Sequence, residues 1–310
     1  MANINVQAIK ELRERTQAGM GECKTALTEA DGDMDKAVEI ILKKGLAKSA
    51  KRAGAIAAEG EVRAVVAPDG RSGVIVEVNV QTDFSARNEL FTGYVTKVVE
   101  VAMRTPKGAP LDEQKVDGKT LAEIAIEVGA KLGEKVAVRR WDRLELAAGK
   151  LGMCHAYVHM GGKIAALLAV ECETAEAAKH PEVLKFVDDT AMHIAATNPT
   201  ALRRDQIAAE LVSKQREIFE AQLREDPKPK PEKMWPKIVE GKIDKWFSEV
   251  VLLEQDSVVV TGQKIEALRQ AAGTAAGAGV AVTGFARFER GEGIEKKKVD
   301  LAADVASMIK

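Results

Sequence analysis

A chain of 310 residues, 46% hydrophobic and 30% charged, has the balance of a folded protein with two or more compact units and real cores. Its 46 basic and 47 acidic residues nearly cancel, which excludes a global positive field able to draw in nucleic acid or anionic membrane. The 3 scattered cysteines, Cys23, Cys154 and Cys172, exclude a disulfide framework and include no Cys-x-x-Cys pair, so a reducing compartment is expected.

The opening residues become charged at Lys10 and Glu11 and offer no apolar core followed by a cleavage site. The longest apolar runs, such as residues 164–170, are far short of the roughly 20 residues that span a membrane, so a cytoplasmic protein is expected. Over residues 4–45, Val6, Ile9 and Leu12, then Met20, Cys23 and Leu27, then Val38, Ile41 and Leu42 recur at helical spacing and predict three short helices. Asp33 is placed to cap the third helix and Gly45 to end it. So small a bundle has little core, which points to a docking module, residues 1–55 with a basic, alanine-rich connector.

From residue 61 the period turns strand-like. Residues 62–67, a Pro68-Asp69-Gly70 turn and residues 74–80 read as a hairpin; helices over 90–103 and 121–132 and a strand over 136–146 complete a first core subdomain, residues 56–148. A second hairpin over 156–170 around Gly161-Gly162, a helix over 183–196 and a strand over 280–288 repeat the plan as residues 149–200 and 252–290. Val136-Ala137-Val138, Trp141, Arg143, Leu144 and Glu145 line up with Val280-Ala281-Val282, Phe285, Arg287, Phe288 and Glu289, which predicts two related β-β-α-β-type subdomains. Between them, residues 201–251 carry Ile207, Leu211 and Ile218, then Val239, Ile243, Trp246 and Val250, with Pro227, Pro229 and Pro231 between the runs. That pattern predicts an inserted antiparallel helical hairpin, which can cover the core, meet a partner or pair with a second copy as a homodimer. The class is α+β, closed by residues 291–310.

Catalytic chemistry finds no constellation. Cys154, His155 and His159 are close in sequence, but alternation along a strand turns Cys154 away from the two histidines and no fourth ligand is near, so no metal site is expected. His180 and His193 stand alone on predicted helices. The glycine-rich segment from Ala271 to Gly279 lacks the Gly-Lys-Ser/Thr ending of a phosphate loop and reads as a long loop, so no cofactor is expected. Basic runs at Lys43-Lys44, Lys48, Lys51-Arg52 and Lys296-Lys297-Lys298 lack interleaved aromatics for base stacking, leaving an RNA-binding or chaperone-like accessory role as the alternative class and no direct nucleic-acid contact as the first reading.

Two segments carry more. Leu12-Arg13-Glu14-Arg15-Thr16-Gln17-Ala18-Gly19-Met20, with Cys23-Lys24 and Ala26-Leu27, and Glu77-Val78-Asn79-Val80-Gln81-Thr82-Asp83-Phe84, with Ala86, Asn88 and Phe91, closely resemble the two signatures of the elongation factor Ts family. The likeness continues through Ala191-Met192-His193-Ile194-Ala195-Ala196, Ile238-Val239-Glu240-Gly241-Lys242, Val282-Thr283-Gly284-Phe285-Ala286-Arg287-Phe288 and Gly291-Glu292-Gly293-Ile294-Glu295-Lys296. The resemblance implies a ubiquitin-associated-like N-terminal module, a two-part core, a protruding helical hairpin and a short C-terminal helix. It further implies a guanine-nucleotide exchange factor for the GTPase elongation factor Tu, with no chemistry, cofactor or membrane of its own.

By the same resemblance Thr82, Asp83, Phe84 and Ser85 form the element that dislocates the partner's Mg²⁺, Asp83 through polar contacts and Phe84 as a wedge. Arg13, Met20 and Lys24 would touch the partner's nucleotide domain and His159 a more distant domain. On composition alone Phe84 reads as a core aromatic at a strand end; the resemblance reverses that reading. The chain departs from the family at Gly21, where relatives often carry Met or another larger residue, at Ser85, often apolar, and in the long 271–279 segment.

Overall fold

The computed structural model describes residues 5–16, 18–51, 54–226 and 231–295. The expected C-terminal helix and the Lys296–Lys298 run lie outside the described residues, as do Pro227 and Pro229. The fold is α+β, with two three-stranded sheets and ten α-helices among the described residues. Two compact units divide it, one of residues 1–62, 76–141 and 289–310, the other of residues 63–75 and 142–288.

In the first unit, α1 (Val6–Thr16), α2 (Met20–Glu29) and α3 (Met34–Lys51) close around Ile9, Leu12, Cys23, Ala26, Leu27 and Ala37. Asp33 caps α3 as its sequence position predicts: its carboxylate accepts from the N–H groups of Asp35 and Lys36 at 3.1 Å each. Gly45, however, does not end the helix. α3 runs on to Lys51 through the expected connector, and Gly45 is instead the point where α3 packs on α6 (Leu121–Leu132); a Cβ there would meet that of Ala130 at 2.7 Å.

The first sheet has the order β1 (Glu59–Val66), β2 (Ser72–Val80), β5 (Ala137–Glu145). β2 is central and buried at every position, which is why its sequence is a near-continuous apolar run. A four-residue helix, α4 (Asp83–Ala86), follows β2 directly. Next comes α5 (Glu89–Arg104), capped by Asn88 and burying Phe91, Tyr94, Val95 and Val98. The minimal strand pair β3 (Lys115–Val116) and β4 (Lys119–Thr120) then leads into the Thr120–Glu123 capping box of α6.

In the second unit, β6 (Leu151–His159) and β7 (Ile164–Cys172) pair antiparallel with Leu151 opposite Cys172 and His159 opposite Ile164, and β8 (Val280–Glu289) joins the other edge of β7. α7 (Pro181–Thr197) covers this sheet through Val183, Phe186, Val187 and Ile194. α8 (Ala209–Arg224) and α9 (Trp235–Val250) pack together on Leu223, Val239, Ile243 and Phe247. Arg204 ties their base by bonds to both oxygens of Glu254 at 2.6 Å and to Asp244 at 2.8 Å, with its guanidinium 4.5 Å from the Phe247 ring centre.

The segment from Ala271 to Gly279 is not a loop. Most of it is the last part of α10 (Ile265–Ala276), which ends at Gly277 in the left-handed conformation. Alanine favours helix strongly enough to carry Gly273 inside it, and Gly273 is required because a Cβ would stand 2.9 Å from the carbonyl oxygen of Ala278. The helix leading into β5 of the first sheet repeats this at the same spacing: Gly129 faces the carbonyl of Glu134, and Gly133 is the left-handed cap of α6. Gly60 on β1 and Gly152 on β6 correspond likewise, with φ of 129° and 140° and a partner strand's carbonyl about 2 Å from where a Cβ would be.

Candidate functional site

β2 leaves the sheet at Val80, and the next residues form a short helical turn because Thr82 caps it: its side-chain oxygen accepts from the Ser85 N–H at 3.2 Å. Asp83 and Phe84 occupy the outer side of that turn. Phe84 is 82% exposed, the most exposed large apolar side chain among the described residues, so it is not a core aromatic. Asp83 faces Arg87 at 3.8 Å across exposed positions, a contact worth little in water.

Beneath the turn lies Glu134, a residue sequence reasoning passes over. The left-handed Gly133 ends α6 and directs the chain so that the Glu134 carboxylate meets the end of β2. One oxygen, Oε2, accepts from the backbone N–H groups of Gln81 at 3.1 Å and Thr82 at 3.0 Å. The other, Oε1, accepts from the hydroxyls of Thr82 at 2.6 Å and Ser85 at 2.7 Å. The Lys135 N–H in turn donates to Gln81 Oε1 at 2.8 Å. Ser85 is buried, so its hydroxyl holds the turn from within while Asp83 and Phe84 face outward. The departure at Ser85 therefore joins the same clasp. A signal was available, Gly133-Glu134 closing a helix, but no local pattern says which strand end the acid will meet.

A second network anchors β2 one turn of pleat earlier. Glu77 is fully buried and bonds Arg139 at 2.9 Å and Arg140 at 2.6 Å, and accepts the Gly291 N–H at 2.7 Å. The same arginines donate onward to the carbonyls of Glu292 and Glu289. The strand that delivers the turn is thus fixed by charge as well as by packing.

Arg13, Met20 and Lys24 lie exposed on α1 and α2. Gly21 beside them has no atom within 4 Å of a would-be Cβ, and it borders a cavity of about 200 Å³ lined also by Thr25, Ile41, Lys44 and Ala130. In the second unit, His159 is exposed at the end of β6; its Nδ1 is 3.0 Å from the Tyr157 hydroxyl, and the two rings stack with centroids 5.9 Å apart. His155 pairs instead with Asp188 at 3.1 Å. His180 caps α7 by accepting from Glu182 N–H. His193 is buried between Gln255 Oε1 at 2.9 Å and the Val258 N–H at 3.2 Å, and burial pushes its imidazole below the ordinary value, the Gln255 bond opposing that shift.

An ordered turn with an outward aromatic, and exposed Arg13, Met20 and Lys24 on a three-helix module, are what this α+β protein holds at its surface. Among the described residues no helix is long and apolar enough to cross a membrane. The family model for elongation factor Ts matches residues 81–292. The chain is 42% identical over 308 residues to elongation factor Ts of Clostridium perfringens (strain SM101 / Type A), covering 98% of this chain and 99% of that relative. It is 44% identical over 316 residues to elongation factor Ts of Rhodospirillum centenum (strain ATCC 51521 / SW), covering 99% of each. This chain belongs to the elongation factor Ts family of translation elongation factors.

Proposed function

We propose that the protein binds elongation factor Tu in its GDP-bound form and speeds GDP release, GTP binding then displacing it. A GTPase holds its nucleotide through backbone donors around the phosphates and a Mg²⁺ that demands near-octahedral oxygen ligands. Displacing either loosens the nucleotide. Phe84 fits the role of the displacing group: it is stiff, has only two side-chain torsions, and its burial in a partner pocket supplies free energy that offsets strain there. Asp83 supplies the polar contact beside it. Arg13, Met20, Lys24 and His159 hold the partner, so the turn acts from a fixed platform. Coupling is reciprocal: whatever factor by which the protein weakens nucleotide binding, nucleotide weakens protein binding, and each tenfold is about 1.4 kcal/mol.

The observation that carries this reading is the 82% exposure of Phe84 on a turn whose backbone is bonded beneath it. Adding the protein to elongation factor Tu loaded with fluorescent GDP tests it. Release accelerated by orders of magnitude, and lost in Phe84→Ala, is the expected outcome; no acceleration by the unaltered protein defeats the proposal.

A further inference from the structure

The geometry points to Glu134 as the positioning residue of the Asp83-Phe84 turn: its carboxylate presets the wedge in the free protein. The inference rests on the exchange reading above and adds to it the group that makes the turn competent before the partner arrives.

Four donors converge on this one carboxylate, two backbone N–H groups on Oε2 and two hydroxyls on Oε1, all between 2.6 and 3.1 Å. Bonds to an ionised acceptor are shorter and stronger than neutral ones, and a carboxylate is acceptor-only, so all four can point at it without conflict. Thr82 serves twice, donating to Glu134 and accepting the Ser85 N–H. Removing Glu134 therefore removes the hydroxyl orientation on which the turn's own cap depends. The Phe84 side chain contributes little to holding the turn, because it is 82% exposed. Without the clasp, a four-residue helix with an unpacked aromatic has little to offset the entropy of ordering it.

The second sheet provides an internal comparison. Gly129, Gly133 and Val136 recur there as Gly273, Gly277 and Val280 with the same helix end, yet the position matching Glu134 is Ala278. There the passage is bonded in the opposite sense: Glu173, just past the end of β7, accepts the Gly279 N–H at 2.7 Å, and the passage residues Gly277, Ala278 and Gly279 carry no acid to reach back to the strand end. An exposed aromatic turn after the central strand is what the first sheet has and the second lacks, and an acid on the helix-to-strand passage, aimed back at the strand end, goes with that turn.

The partner then meets a turn already in one conformation; a protein whose competent state is only a fraction of the ensemble acts in proportion to that fraction. The test is nucleotide release from elongation factor Tu at rising concentrations of the full-length protein, comparing wild type with Glu134→Ala, Glu134→Gln and Glu134→Asp. In Glu134→Ala the rate at saturation is expected to fall about tenfold or more, while the half-saturating concentration, carried by the module and His159, changes by less than about threefold. Glutamine retains an acceptor for the backbone donors, and its NH₂ can donate to the two hydroxyls, so Glu134→Gln is expected to recover most of the rate. Aspartate, one methylene short, is expected not to. In the free protein, amide exchange at Gln81 and Thr82 should accelerate in the alanine variant and not in the glutamine variant.

An alanine variant that releases nucleotide as fast as wild type, or keeps those two amides protected, overturns the assignment. So does a glutamine variant as impaired as alanine with its amides protected, since that would make the charge itself a partner contact. Wild type without exchange activity defeats the functional reading instead, whatever the variants do.

Discussion

Gly45 of α3 and Ala130 of α6 approach so closely that a Cβ on the glycine would stand 2.7 Å from the alanine's. A glycine inside a helix costs about 1 kcal/mol relative to alanine, so its presence there is a price set by packing. Gly45→Ala should therefore destabilise the protein despite better helix propensity, and adding Ala130→Gly should restore much of the loss. Urea unfolding of the two single variants and the double measures it. If Gly45→Ala alone raises stability, the contact between α3 and α6 is not as close as described.

Glu77 is fully buried between Arg139 and Arg140, which are only partly exposed. Removing one partner of a buried ionic network leaves the other charges uncompensated, at about 3 kcal/mol or more. Glu77→Ala is expected to show at least that loss. Because Glu77 also accepts the Gly291 N–H, residues 289–292 should become open to limited proteolysis before the sheet unfolds. A change under about 0.5 kcal/mol, the level of an ordinary surface site, would contradict the burial.

His193 accepts the Val258 N–H on one ring nitrogen and bonds Gln255 through the other, so the fold holds it neutral, with its pKa below the ordinary 6.5. The unfolded chain then binds more protons than the folded one just below about pH 6.5. The contribution of His193 is complete above that pH and declines as pH falls toward the lowered folded value. In urea unfolding, the stability advantage of wild type over His193→Gln should shrink between about pH 7 and pH 5.5. A constant difference across that range would show that His193 does not titrate differently on unfolding.

Phe84 contributes little to the fold from its exposed position. Phe84→Ala should alter unfolding free energy by less than about 0.5 kcal/mol, the range of ordinary surface substitutions, while removing nucleotide release. Loss of both together would make the aromatic structural.

Sequence periodicity located the helices of the N-terminal module, α5, α6 and α7, because each buries one face and a buried face leaves a period of 3.6 in the chain, while both hairpins were legible as apolar runs bounded by turn residues, their strands β2 and β7 being buried on both faces. It missed α10, where alanine and glycine blur the contrast between faces, and it stopped α3 at Gly45, where glycine answered to a neighbour rather than to a helix end. The Thr82-Asp83-Phe84 turn was legible as a motif, since its residues are contiguous. That Phe84 faces solvent, that Ser85 is buried, and that Glu134 lies beneath both were decided only in three dimensions. Hydrogen bonds across fifty residues leave no local pattern, because the donors and the acceptor are brought together by the pairing of β2 with β5 and the packing of α6.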